Sequence, residues 1–184
     1  MDFGDILNAS DQRRVIAATI RGVRVINVYV VNGQALDSEK FQFKMRWLSA
    51  LTDVIAAELR QHPELVLLGD FNIAPSDLDV YDAIAWGGQI HCSVPEREAL
   101  AKLYALGLHD SYRVLQPATK AFSWWDYRQA AYARNIGLRI DLALISDALK
   151  ARLLAVGIDK NPREQVSPSD HAPVWLSLMP GLAP

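Results

Sequence analysis

The sequence predicts a mixed α/β domain in which sheets pack as a sandwich with helices outside. Three observations carry this. Short apolar, β-branched runs recur at 13–20, 23–30, 65–68, 122–127, 138–145, 153–158 and 174–178, whereas helical spacing is confined to 41–60, a short stretch around 78–84 and the segment from Ser93 to Gly107. Several of the strands follow one another with no helix between them, which favours a sandwich over a simple doubly wound sheet. Neither a repeat nor an inter-domain linker interrupts the 184 residues, and that length suits one domain with a sizeable core.

The first two runs, 13–20 and 23–30, are joined by Arg21-Gly22, a tight-turn signal, and read as a hairpin or two adjacent strands. Asn32-Gly33 punctuates the exit. Ser38-Glu39-Lys40 opens a long helix in which Phe41, Met45, Leu48, Leu51 and Ile55 recur at helical spacing, until His62-Pro63 ends it. Leu65-Val66-Leu67-Leu68 is apolar throughout, as expected of a strand covered on both faces. Further on, Ser93 caps a helix, Pro95 presets its backbone, Glu96 completes a capping box and Gly107 stops it. Residues 160–169 form a polar, proline-containing loop.

Composition sets bounds on function. Hydrophobic residues make up 51% and charged residues 22%, and the net charge is −2, so no strong basic field announces nucleic acid. A local basic patch is compatible with that average. The single Cys92 cannot close an internal disulfide, which points to a reducing compartment and a cytoplasmic protein. The start, Met1-Asp2-Phe3-Gly4-Asp5, is no signal peptide, and no apolar run approaches the roughly 18 residues of a membrane span.

The chemistry concentrates in two loops. Gly69-Asp70-Phe71-Asn72 follows the apolar strand, where open sheets place ligands; in an extended segment Asp70 and Asn72 face one phosphate while Phe71 packs inward. A plain strand-ending turn explains the same residue types. Ser169-Asp170-His171 offers a carboxylate for a hard cation and an imidazole for a phosphate oxygen or a proton, or else a turn before Pro173. Asp141 lies in an apolar strand and needs a partner: His171, whose tautomer it would fix, or Arg139 in a structural pair. Tyr29 ends a strand within reach of a phosphate, though alone it reads as a half-buried strand aromatic. In Phe122-Ser123-Trp124-Trp125-Asp126-Tyr127-Arg128, one Trp faces the core and the other is free to stack on a base or line a sugar pocket. Arg128, Arg134 and Arg139 are available for phosphates.

In order along the chain, these residues resemble the exodeoxyribonuclease III family of apurinic/apyrimidinic endonucleases, within the endonuclease/exonuclease/phosphatase superfamily. The stretches that carry the resemblance are Asn27-Val28-Tyr29-Val30-Val31-Asn32-Gly33, Leu68-Gly69-Asp70-Phe71-Asn72-Ile73-Ala74-Pro75, Trp124-Trp125-Asp126-Tyr127-Arg128, Asn135-Ile136-Gly137-Leu138-Arg139-Ile140-Asp141 and Ser169-Asp170-His171-Ala172-Pro173. It runs from about residue 11 to about residue 178. The resemblance implies a four-layer α/β sandwich and Mg²⁺- or Mn²⁺-dependent hydrolysis of phosphodiesters in double-stranded DNA, at abasic sites or 3′ ends. It implies that Asp70 orients and deprotonates the attacking water and that Asn72 holds that water or the transition state. His171 would contact the scissile phosphate, Asp141 would pair with His171, and Tyr29 would support the phosphate. Asp70, Asn72, Asp170 and His171 would surround the metal, and Trp124, Arg128 and Leu138 would bind substrate.

The chain also departs from the family pattern. The Trp-Asn and Gln-Glu motifs of the family's first two strands, the second carrying a metal-site Glu, do not occur before Arg13, and Val31 stands where the family usually has Pro. The expectation is a single domain over 1–184 that is N-terminally incomplete, with impaired nuclease activity and an exposed sheet edge open to self-association. Two other readings are a phosphatase of the same superfamily and a non-catalytic DNA-binding or partner-dependent remnant.

Overall fold

The computed structural model describes residues 12–181; residues 1–5, read above as no signal peptide, lie outside them. A five-stranded sheet in the order β1-β2-β3-β5-β4 forms the centre. Its strands are β1 (Val15–Ile20), β2 (Val23–Tyr29), β3 (Leu65–Asp70), β4 (Leu108–Asp110) and β5 (Asp141–Ser146). β1 and β2 make the expected hairpin, with Arg21 and Gly22 both at positive φ in its two-residue turn. β2 and β3 run parallel, connected by the long helix α1 (Glu39–Gln61), while β5 is antiparallel to both β3 and β4.

The alternation of side chains along each strand splits the core into two. Ile26, Val28, Leu65, Leu67, Leu142 and Leu144 point to one face, where α1 and α3 (Val94–Ala105) cover them through Trp47, Leu48, Leu51, Leu100 and Leu103. Val23, Val66 and Ile145 point to the other face, against a two-stranded antiparallel sheet of β6 (Leu153–Ile158) and β7 (Val174–Leu178). The described residues thus supply a helical layer and two sheets of the sandwich. The helices are capped as the sequence predicts: Ser38 accepts from the Phe41 amide, and Ser93 and Glu96 form a reciprocal capping box. Among the described residues, no helix is long and apolar enough to cross a membrane.

Three expectations are corrected. Residues 122–127 are not a strand: only Trp124 makes isolated bridges, one to Leu138 and one to His171. The segment zigzags between two neighbours, and the Ser123 hydroxyl, not a main-chain carbonyl, accepts the amides of Ile140 and Asp141. The strand expected at 138–145 therefore begins at Asp141, because the amides of Leu138 and Arg139 are drawn to Trp124 and Asp79. The helix expected around 78–84 is split into a 3₁₀ turn (Asp77–Asp79) and the short α2 (Ala83–Trp86), since Val80 bridges to Leu138 between them and Asp82 caps the second turn. Three short elements carry too little pattern to be read from sequence: β4, α4 (Ser111–Leu115) and α5 (Asp147–Lys150).

Gly69 shows how tightly the site end of the sheet is built. Its φ is +131°, and a Cβ there would sit 2.0 Å from the Val28 carbonyl oxygen. Gly69→Ala is therefore expected to lower stability by about 2 kcal/mol or more, read from the shift of a denaturant midpoint. A change within a few tenths of a kcal/mol would show that β2 and β3 can separate freely here.

Candidate active site

Register places the site. Tyr29 is the partner of Asp70 across β2 and β3, and Asp70 is the partner of Asp141 across β3 and β5. Tyr29, Asp70 and Asp141 thus form one row over three adjacent strands, on the face turned towards the small sheet. The loop before β7 brings His171 to this row: its Nδ1 lies 2.9 Å from Asp141 Oδ2 and 3.1 Å from Oδ1. Asp141, His171, Ser169 and Leu68 line a cavity of about 300 Å³.

Of the two partners open to Asp141, the geometry selects His171. Arg139 lies before the strand begins, and its guanidinium is buried between Asp79 and Asp110. With Nδ1–H donated to Asp141, the Nε2 side of His171 faces outward, which is the orientation a phosphate-binding imidazole needs.

Asn72 reaches Asp70 by a route the sequence did not suggest. It is not in extended backbone but at φ +51°, and it is only 4% exposed. The turn brings its main-chain amide to Asp70 Oδ1 at 2.8 Å and its Nδ2 to Asp70 Oδ2 at 2.8 Å. The second Nδ2 proton goes to the Val30 carbonyl, and Oδ1 accepts from Asn32. Asn72 is thereby committed to holding both oxygens of Asp70.

Electrostatics favours proton chemistry at Asp70. Burial, then the charge of Asp141, raise its pKa to about 7, against the Asn72 amide, His171 and Lys44. Burial pulls the His171 imidazole down, but the hydrogen bond and charge of Asp141, with Asp70 and Asp170, hold its pKa above the ordinary value. The site therefore pairs a carboxylate that is basic near neutral pH with an imidazole whose protonated form its acidic neighbours favour, the arrangement expected of acid–base work.

This pairing gives a pH-dependent prediction. A raised His171 pKa means the pair's stabilisation is complete below the unfolded value near 6.5 and is lost as pH rises through the folded value. Asp141→Asn is expected to lower the His171 pKa in an NMR titration. The stability difference between parent and variant should narrow as the pH is raised. An unchanged His171 titration would show that Asp141 is not its electrostatic partner.

The remaining residues named from sequence are placed as follows. Asp170 accepts from Trp124 Nε1 at 2.9 Å, and its carbonyl accepts from the Trp125 amide. Trp124 is half-buried beside the site, whereas Trp125 is fully buried against Tyr132. Leu138 is buried beneath Trp124 and supports it. Arg128 is exposed and held by a two-pronged pair with Asp126. Tyr29 is exposed, with the Arg14 guanidinium 4.6 Å from its ring centroid. Arg128, Trp124, Tyr81, Trp86 and Arg134 border a separate cleft of about 520 Å³.

Asp70, Asp141 and Asp170 are hard oxygen donors and suit a cation such as Mg²⁺ in kind. They do not suit it in number: among the described residues, no three carboxylate, imidazole or thiol groups converge to hold a metal ion. Sequence reasoning missed three other contributors. Lys44 interrupts the buried stripe of α1, three residues after Phe41 and four before Leu48, and a cation there is a signal in itself. Glu96 was legible only as a cap, and His91 carried no signal at all.

This geometry, two carboxylates and an imidazole on the ends of a mixed sheet inside a sandwich, is that of a phosphoester-cleaving fold. The endonuclease/exonuclease/phosphatase family model matches residues 4–171, and the chain belongs to that family, a metal-dependent class. It is 38% identical to exodeoxyribonuclease III of Haemophilus influenzae, over 93% of this chain and 68% of that protein. Among solved structures, a 3′ phosphatase from Neisseria bound to a product DNA hairpin superposes with a TM-score of 0.91 at 51% identity, covering 94% of this chain and 67% of that one. An AP endonuclease from Archaeoglobus fulgidus gives 0.86 at 32% identity, covering 94% and 68%.

Proposed function

We propose that this chain is a DNA-repair nuclease of the exodeoxyribonuclease III type, acting on double-stranded DNA at abasic sites or 3′ ends. The observation that carries the proposal is the row of Tyr29, Asp70 and Asp141 with His171 docked on Asp141. Asp70, oriented by Asn72, takes a proton from water as its oxygen attacks phosphorus. His171 donates to a phosphate oxygen and, held by Asp141, balances the charge that builds there as the P–O bond breaks. Tyr29 and Arg128 flank the path of the strand, and Trp124 offers a stacking face over buried Leu138.

A divalent cation, Mg²⁺ or Mn²⁺, would supply Lewis-acid stabilisation of the phosphate if bound; Asp170 and Asp70 would each offer it an oxygen, but the described residues alone do not complete a site. Because the described residues offer few donors, binding is expected to be weak and turnover low. The test is cleavage of duplexes carrying an abasic-site analogue or a recessed 3′ end, with Mg²⁺, Mn²⁺ or EDTA. Incision that needs the metal supports the proposal. Cleavage of small phosphomonoesters with none of DNA would move the reading to a phosphatase. Salt-sensitive DNA binding without cleavage would support a non-catalytic remnant.

The part of the central sheet that no other described residues cover favours self-association as a second property. β6 and β7 leave Ile16 and Ile20 of edge strand β1 exposed at 68% and 58%, and a groove of about 720 Å³ runs from Ile20, Val25 and Leu68 to Val174 and Leu176. An edge that no other described strand pairs with, beside apolar surface, invites strand pairing with a second copy. Light scattering is expected to find dimers that Ile16→Lys reduces to monomers. A monomer at all concentrations would end this proposal.

A further inference from the structure

Behind the candidate site, on the helical side of the sheet, a buried ion pair touches both loops that carry it. Lys44 and Glu96 are each fully buried and bonded to one another. The Lys44 ammonium also donates to the carbonyl of Asn72 at 2.8 Å and to that of Asn32 at 3.1 Å. Its three protons are thus divided between the loop after β2, the loop after β3 and α3. Glu96 is equally committed: Oε1 accepts from the His91 amide, and Oε2 from the Ser93 amide and hydroxyl. His91 Nδ1 lies 2.7 Å from the same Asn72 carbonyl, so the ring nitrogen there carries the proton.

The Asn72 carbonyl therefore receives two donors, at the residue whose left-handed backbone turns its amides onto Asp70. Rotation of the 72–73 peptide would forfeit both bonds and leave a buried ammonium short of a partner, a heavy penalty in a dry interior. An apolar side chain at position 44 would pack the helix as well and would hold neither loop. Burying a charged pair here is hard to explain by stability alone, because replacing such pairs with apolar groups is often neutral.

We propose that Lys44, anchored by Glu96, is a positioning residue that locks the Asn72 turn and so fixes the orientation of the Asp70 carboxylate. This rests on the reading of Asp70 as the general base. The chain is one relay: Glu96 holds Lys44, Lys44 holds the Asn72 and Asn32 carbonyls, Asn32 donates to the Asn72 side chain, and Asn72 holds Asp70.

The test is Lys44→Met combined with Glu96→Gln, which removes both charges while keeping volume and a capping-competent side chain at position 96. Three quantities are read: the melting temperature, the side-chain amide NMR signals of Asn72, and turnover and affinity on duplex DNA. The expected result is a folded protein whose Asn72 signals shift or broaden. Its turnover falls about 30-fold or more while duplex affinity stays within about twofold, as for a misplaced rather than a missing group. If the double variant fails to fold, the milder pair Lys44→Gln with Glu96→Gln, which strands no charge and keeps an amide donor at position 44, is expected to give the same pattern at smaller amplitude. Unchanged Asn72 signals, or turnover lost only in proportion to the unfolded fraction, would overturn the proposal. Should the parent chain cleave no DNA, the nuclease reading fails separately, and the Asn72 signals still decide whether the pair holds the turn.

Discussion

Asp70→Asn is expected to abolish metal-dependent DNA cleavage while making the protein more stable. The loss follows from the proposed chemistry: an amide cannot accept the proton of the attacking water, and general-base contributions are worth about 10²–10⁴ in rate. Turnover should fall about 10³-fold with duplex affinity little changed. The gain follows from the site's electrostatics. Burial and the charge of Asp141 raise the Asp70 pKa to about 7, so the folded state disfavours its ionised form.

The sign is fixed by linkage. A folded pKa above the unfolded value near 3.9 means stability is lost as pH rises from that value through 7, and an Asn at the position escapes the loss. In EDTA at pH 8 the variant should gain about 1–2 kcal/mol after allowance for solvent screening, and at pH 4 the gain should vanish. The gain is partly offset, because Asn72 Nδ2 would meet an amide group in place of Asp70 Oδ2. Melting curves at the two pH values decide the matter. A variant that is both inactive and less stable at pH 8 would mean that Asp70 is held for structure and not kept under tension for chemistry.

The parts of the fold legible in the sequence were those with a strong local cause. The β1–β2 hairpin had its Arg21-Gly22 turn, α1 had Ser38 and a regular apolar stripe, and α3 had its capping box. Residues 122–127 looked like a strand because aromatic residues suit strands, yet a long-range competitor, the Ser123 hydroxyl, took the amides that a ladder would have used. Asn72 is the instructive case at the site. Its nearness to Asp70 was readable from spacing, but the reason given, alternation in an extended segment, does not apply to a residue at φ +51°. His171 was favoured over Arg139 as partner of Asp141 from the sequence, but what occupies Arg139 instead was not readable, because Asp79 and Asp110 lie far away in sequence.

Arg139→Met is expected to be the most damaging single substitution away from the site. The guanidinium is buried, with Nε 2.6 Å from Asp79 Oδ1, Nη2 2.6 Å from Asp110 Oδ2 and Nη1 3.2 Å from Asp110 Oδ1. Asp79 is itself buried and Asp110 nearly so. Removing the cation strands two carboxylates in the interior, and breaking such a pair from one side costs about 3–5 kcal/mol. Arg113 also binds Asp79, and the amides of Tyr112 and Arg113 bond Asp110, so partial compensation places the expected loss towards the lower end. For a chain of this size that is a fall in melting temperature of roughly 10 °C. Arg139→Lys should recover little of it, since a point charge cannot span both acids as the planar fork does. The consequence reaches the active site through the backbone. The Arg139 amide donates to the Asp79 carbonyl just before β5 begins at Asp141, so loosening this junction frees the strand end that presents Asp141 to His171. The His171 titration in the variant should accordingly move towards its ordinary value at temperatures well below the melt. A loss under about 1 kcal/mol, with His171 unmoved, would show that the two acids find water when Arg139 is gone and that the junction does not depend on it.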